Sequence, residues 1–176
     1  MDLIGDFAYM LPLTVIAAMM GVPTSERHRF RRWSAGVTGS LEPRPTAAQI
    51  AEGNAVVEEF KEFLGALADE RRKKPGEDLM SVLVAAEQDG DRLTGLDLVH
   101  NAAFLLNAGH ETTSNLVGSG VNALFKNPDQ LDVLRREPAL SASAVEEMLR
   151  YDSPNQIGGR TPKEDIELGG VKVPAG

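Results

Sequence analysis

The stretch from Thr94 to Asn127 limits what this chain can fold into more than any other. Thr94 and Asp97 stand three apart in the pattern of a helix-opening capping box, and no proline interrupts the residues that follow as far as Asn127. A helix of about 30 residues is predicted, on the order of 45 Å long. Leu98, Val99, Ala102, Ala103, Phe104, Leu105 and Leu106 make its first half apolar on every side, which suits a helix running through the centre of a protein. At 176 residues and 42% apolar content, the chain is long enough to build one sizeable core around it.

Inside that helix lies 105-LLNAGHETTSNLVG-118, which is locally weak. Gly109 costs about 1 kcal/mol relative to alanine, and the β-branched pair Thr112 and Thr113 adds a few tenths each. The Thr112 hydroxyl can reach the carbonyl of Ala108, a bond that tends to bend or open a helix. Ala108 and Thr112 share a face with Leu105 and Leu116, giving a shallow notch floored by small residues and holding one hydroxyl. Glu111 sits about 100° around the helix, close enough to join a relay through water. The residues alone leave close helix packing and proton-handling chemistry both open. A zinc-protease pattern fails, because His110 and Glu111 supply its first two letters but position 114 is serine. His100 and His110 face different directions, and His28 is remote in sequence.

The flanking segments also read as helices. Pro12, Gly21 and Pro23 divide the opening into two short helical pieces. Its apolar run, residues 11–20, is shorter than the roughly 20 residues of a membrane helix, and Asp2 and Asp6 stand where a signal peptide carries positive charge. No membrane span and a cytoplasmic, bacterial-type protein are expected. Ser25 opens a helix in which Arg27, Arg29, Arg31 and Arg32 surround Phe30 and Trp33 as a solvated face. With 18 basic against 26 acidic residues, a net charge of −8 argues against a nucleic-acid partner. Thr46 starts a long helix with Ile50, Val57, Phe60, Leu64 and Leu67 as its apolar stripe. Asp69 with Lys73 and Glu70 with Lys74 form i,i+4 pairs, and Pro75 with Gly76 ends it. A shorter helix spans about Asp78 to Gln88, closed by the turn DGDR. Pro128 begins another through Arg136. Ser143 with Glu146 matches a capping box before a helix carrying Glu147 and Arg150, three apart, and ended by Pro154. Arg160 follows two glycines, where a guanidinium can grip a carboxylate in bidentate fashion. Two short alternating runs around Gly169 and Gly170 predict a β-hairpin.

Taken in order, AGHETT (108–113), EEMLRYDSP (146–154), GGRTP (158–162) and ELGGVKVPAG (167–176) resemble the bacterial cytochrome P-450 superfamily of haem-thiolate monooxygenases. LIGDFAYMLPLTVIAAMMGVP and GEDLMSVLVAAEQDGDRLT extend the resemblance over nearly the whole chain. It implies a mainly α fold, a P-450-like helical core with a small β-hairpin at the C-terminal end, incomplete at both ends. Residues 25–74 would be lid-like helices over the substrate cavity, 95–127 the long central helix, 141–151 the helix of the E-x-x-R pair and 158–176 the β segment. Thr112 would be the alcohol that hydrogen-bonds oxygen at the iron, with Glu111 the acid feeding protons toward it. Ala108 and Gly109 would leave room for oxygen and substrate, and Arg160 would hold a haem propionate. Glu147 and Arg150 would form a buried structural ion pair. Haem b, dioxygen, a small apolar substrate and a ferredoxin- or flavodoxin-type electron donor supplied from NAD(P)H complete the implied system.

The family's axial ligand is a cysteine, and this chain has none. Disulfides, zinc-thiolate sites and thiolate ligation of haem are thereby excluded for these residues, and the polypeptide alone is expected to be inactive as a monooxygenase. The alternative is a haem-free helical module that binds a small molecule or a partner.

Overall fold

The computed structural model describes residues 1–40, 44–88 and 93–176, apart from the side chains of Arg27 and Gln88. The expected turn at 89–92 and part of the loop at 41–43 lie outside the described residues. The architecture is mainly α: seven α-helices among the described residues, α1 (Met10–Met19), α2 (Arg27–Ser40), α3 (Ala47–Lys73), α4 (Leu79–Gln88), α5 (Gly95–Lys126), α6 (Pro128–Arg136) and α7 (Ser141–Tyr151), then a hairpin of β1 (Ile166–Leu168) and β2 (Val171–Val173). A π-helical turn, Leu3–Ala8, precedes α1, so the opening breaks at Tyr9 and Pro12 lies within the first turn of α1. That position suits proline, whose missing N–H has no partner there in any case.

At 32 residues, α5 is roughly 48 Å long and is the axis of the molecule. Thr94 and Asp97 form the predicted reciprocal cap. Leu98, Ala102, Leu106, His110 and Ser114 make its buried line, against which α1, α3 and α4 pack along the first half and α6 and α7 along the second. The all-round burial expected of the first half is not what the structure shows: Phe104 is 68% exposed and Leu96 59%.

The core beside α5 is aromatic. Trp33 is fully buried, stacked on Phe60 at 4.7 Å, with Phe30 edge-on to both. The Trp33 indole donates to Glu59, which also pairs with Arg29 and Arg32. Arg29 and Arg32 therefore knit α2 to α3 rather than forming a plain solvated face. On α3, Thr46 and Gln49 cap the N-terminus reciprocally. The buried line runs through Gly53, Val56, Phe60, Leu64 and Leu67. Val56 replaces the expected Val57 on that line and Ile50 is exposed, and Gly53 packs close against Ser40 and Gly36 of α2. The expected lysine pairs are also replaced: Asp69 bonds Arg72 and Glu70 bonds Arg71, each at 2.6–2.8 Å. The longer, forked guanidinium reaches where the lysines point away into solvent.

Two further expectations are corrected. Ser25 lies in a short 3-10 turn ahead of α2, and Ser143 caps nothing, since α7 has already begun at Ser141 and the Ser143 hydroxyl donates back to the Leu140 carbonyl. The hairpin forms as predicted. Its strands are antiparallel, pairing Ile166 with Val173 and Leu168 with Val171, and Gly169 and Gly170 both have positive φ (58° and 81°), as a type I′ turn requires.

Candidate functional site

The middle of α5 separates its predicted site residues onto two faces. Ala108 and Thr112 lie together on an exposed face, and the Thr112 hydroxyl donates to the Ala108 carbonyl at 3.0 Å. Phe104 and Leu105 extend that face with exposed apolar surface. Thr113 makes a longer bond of the same kind to Gly109. Gly109 points elsewhere: a Cβ there would sit 3.0 Å from Cγ1 of Ile16, so this glycine admits α1 rather than widening the Ala108–Thr112 notch.

Glu111 lies on the neighbouring face, half-buried, and its carboxylate accepts a hydrogen bond from the Thr38 hydroxyl of α2. It is not in hydrogen-bond contact with Thr112. A cavity of about 560 Å³ opens beside it, lined by Tyr9, Arg31, Ser34, His110, Asn115 and Asp152 among others. His110 is buried edge-on against the Tyr9 ring at 4.3 Å, and the Arg31 guanidinium lies 5.3 Å from the centre of that ring. Burial pushes the His110 imidazole below its ordinary range, against the pull of Glu111 and the Tyr9 backbone. Burial likewise pushes the Tyr9 phenol up, Arg31 opposing and Glu111 adding to the rise.

Neither Thr38 nor Tyr9 stands out in the sequence. Thr38 meets Glu111 across 73 residues, a distance over which no local pattern carries information. Tyr9 is one aromatic residue in an apolar opening.

Glu147 and Arg150 pair as expected, in a two-pronged contact with both distances 2.7 Å. The Arg150 hydrogen bonds hold the Glu147 carboxyl below the ordinary carboxylate range. Within these residues the two side chains are 59% and 71% exposed. Met148 of α7 turns against Gly120 of α5, and Glu147 and Arg150 border, with residues of α5 and α6, an open cavity of about 560 Å³ beside it. Arg160 is exposed, and its guanidinium donates to the neighbouring Gly159 carbonyl at 2.7 Å. Among the described residues it has no carboxylate partner.

These positions fit one wall of a haem site and not the other. The open, small-floored face at Ala108 and Thr112 can lie against a flat macrocycle, and Arg160 is free to take a propionate. An axial thiolate is absent from these residues, and His110 is committed to Tyr9 inside the core. Among the described residues no cluster of histidine and carboxylates is placed to hold a metal ion.

Comparison with known proteins decides the family. The cytochrome P450 family model matches residues 45–176. The chain belongs to the cytochrome P450 family. Nocardicin C N-oxygenase of Nocardia uniformis is 44% identical over 178 residues, covering 99% of this chain and 43% of its own length. Vitamin D(3) 25-hydroxylase of Pseudonocardia autotrophica is 40% identical, covering 99% of this chain and 42% of its own length. Among solved structures, P450BioI in complex with an acyl carrier protein carrying hexadec-9Z-enoic acid superposes with a TM-score of 0.94 at 35% identity, over 100% of this chain and 45% of that one. The chain thus spans less than half the length of the P450 relatives it matches. Among the described residues no helix is long and apolar enough to cross a membrane.

Proposed function

We propose that these residues form the distal, oxygen-handling part of a haem-dependent monooxygenase that inserts one oxygen atom from dioxygen into a small apolar substrate, with electrons from a ferredoxin- or flavodoxin-type partner fed by NAD(P)H. The observation that carries the reading is the pairing on α5 of an open hydroxyl face with a half-buried acid one residue away. Haem, when bound, would supply dioxygen activation and the redox chemistry. Arg160 would hold a propionate, and Ala108 would let the macrocycle approach the helix.

The chain's own residues have separable tasks. The Thr112 hydroxyl, now donating to the Ala108 carbonyl, can turn its proton outward into the notch without unfolding the helix. Glu111, tethered to Thr38 at the edge of a water-accessible cavity, can take a proton from solvent and present it one residue away from Thr112. Phe104 and Leu105 would keep the approach to the hydroxyl apolar and exclude water. Helices α2 and α3, carrying most of residues 25–74, would cover the substrate. A location in the cytoplasm is part of the same reading, drawn from the likeness to bacterial P450 relatives, and the charge of −8 argues against nucleic acid as a partner.

Residues 1–176, mixed with haem and a reductant, are expected to give no carbon monoxide difference band of thiolate-ligated iron, for want of a cysteine. A clear band would overturn the expectation that residues 1–176 alone cannot form a thiolate-ligated haem site. The second reading, a haem-free binding module, draws on the same lack of cysteine. It predicts that an apolar ligand protects the face around Phe104 and Thr112 in haem-free protein.

A further inference from the structure

We propose that the π-helical turn and α1 together splint α5 across its weakened section, with Ile16 and Ile4 as the positioning residues that fasten the splint on either side of Thr112.

The section needs support. Thr112, Thr113 and Ser114 each donate a hydroxyl to the carbonyl four residues back, at 3.0, 3.4 and 2.9 Å. One such bond loosens a helix. Three in succession load the carbonyls of Ala108, Gly109 and His110, on sides about 100° apart. Gly109 weakens the same turn. A helix bends at a place like this, yet α5 runs unbroken from Gly95 to Lys126.

The support lies on one side. The face at Ala108 and Thr112 is open, whereas His110 and Ser114 are buried along the line where the turn and α1 pack on α5. Two glycines fix the fit. A Cβ on Gly109 would stand 3.0 Å from Cγ1 and 3.1 Å from Cδ1 of Ile16, and one on Gly118 would stand 2.8 Å from Cδ1 of Ile4. Each isoleucine therefore occupies a gap that glycine leaves. The two gaps are nine residues apart, roughly 13.5 Å along the axis, and the three back-bonded hydroxyls lie between them. Tyr9 fills the middle, edge-on to His110 at 4.3 Å, and its neighbour Ala8 is fully buried.

The splint is one piece. Tyr9 keeps helical backbone angles and its N–H donates to the Ile4 carbonyl at 2.9 Å, so the turn runs into α1 without a loose joint. The turn also packs on α1. To bend at Thr112, α5 has to draw Gly109 away from Ile16 or Gly118 away from Ile4. That this bears on oxygen handling rests on the reading of Thr112 given above; the splint itself does not.

The test uses residues 1–176 without haem and reads hydrogen exchange at the amides of residues 112–117, so it succeeds or fails independently of any role of Thr112 in the reaction. Ile16→Ala and Ile4→Ala should each speed that exchange by about tenfold or more, while residues 99–105 keep their rates. Leu64→Ala, at a fully buried position of α3, should loosen the whole molecule without singling out 112–117.

A mutant cycle at Gly109 separates the fit from helix propensity. With Ile16 in place, the Cβ of Gly109→Ala is crowded by the isoleucine and should bring no protection. Combined with Ile16→Ala, the same Cβ meets the Cβ of residue 16 at 3.5 Å, an ordinary contact, and should restore protection. Equal gains in both backgrounds are what propensity alone gives, and they overturn the splint. So do unchanged rates at 112–117 in the two isoleucine variants. Should an alanine variant fail to fold, Ile16→Val, which removes only Cδ1, reads the same local increase, and an unchanged rate there counts equally against the proposal.

Discussion

Thr112 and Gly109 are neighbours in the sequence with opposite surroundings, and substitutions at the two should behave differently. Thr112 is exposed and its hydroxyl is spent on its own helix, so Thr112→Ala should change stability by less than about 0.5 kcal/mol in urea denaturation. In a full-length enzyme the same change should let electrons be consumed without product forming; unchanged coupling would remove Thr112 from the proton route. Gly109→Val should instead destabilise by about 1–3 kcal/mol, because its Cβ meets Ile16 at 3.0 Å and the added methyls have nowhere to go. Sequence reasoning found both residues, since each weakens a helix. It could not tell them apart, because which face of α5 meets α1 depends on Ile16, more than ninety residues upstream. The Thr38 contact was illegible for the same reason.

Among the elements, helix existence was readable and helix contacts were not. Caps at Thr46 and Thr94, the break after Lys74 and the glycine turn of the hairpin are local chemistry and came out as expected. The buried line of α3 came out in part: Phe60, Leu64 and Leu67 are buried as expected, while Val56 takes the place of Val57 and Ile50 is exposed, in the stretch where Gly53 packs against α2. A Cβ on Gly53 would lie 2.6 Å from the Ser40 side chain and 3.1 Å from the Gly36 carbonyl. Gly53→Ala should therefore cost about 1–3 kcal/mol, enough to outweigh the roughly 1 kcal/mol that alanine gains in a helix; a stabilised variant would mean that α2 and α3 can slide apart.

A second junction ties α1, α3 and α4. Arg71 bonds Asp78 at 2.6 Å and the Gly21 carbonyl at 3.0 Å, with both charged side chains largely buried. Burial alone would push the Asp78 carboxyl up, and hydrogen bonds from Ser81 and Arg71 outweigh it, holding the group below its ordinary range. This contribution is present above the unfolded carboxylate value of 3.8 and is lost as pH falls through the folded value. Arg71→Ala strands the Asp78 charge and should cost about 3 kcal/mol at neutral pH, whereas Asp78→Asn should flatten the acid limb of a stability-against-pH curve.

Among the described residues, many large apolar side chains stay open to solvent. Phe7, Leu11, Val15 and Met19 repeat every four residues along the outer side of the opening helix, each 43–50% exposed, and Phe104, Phe125, Ile157 and Leu168 are more exposed still. Residues 1–176 should self-associate with rising concentration in sedimentation velocity, and a sharp monomer at all concentrations would contradict this. The hairpin, three residues per strand and almost wholly exposed, should exchange its amides far faster than α5 does.

The length of α5 has a mechanical side. From Thr112 to Lys126 it runs on for 14 residues, roughly 21 Å, beyond a pair of threonines that draw on the carbonyls of Ala108 and Gly109. Such bonds make a helix easier to bend at that place. The helix is then a lever with its fulcrum at the hydroxyl face: a bend of about 10° at Thr112 displaces its far end, where α6 begins, by roughly 4 Å. Shape changes at the notch are thereby amplified at α6 and α7, which pack on that arm.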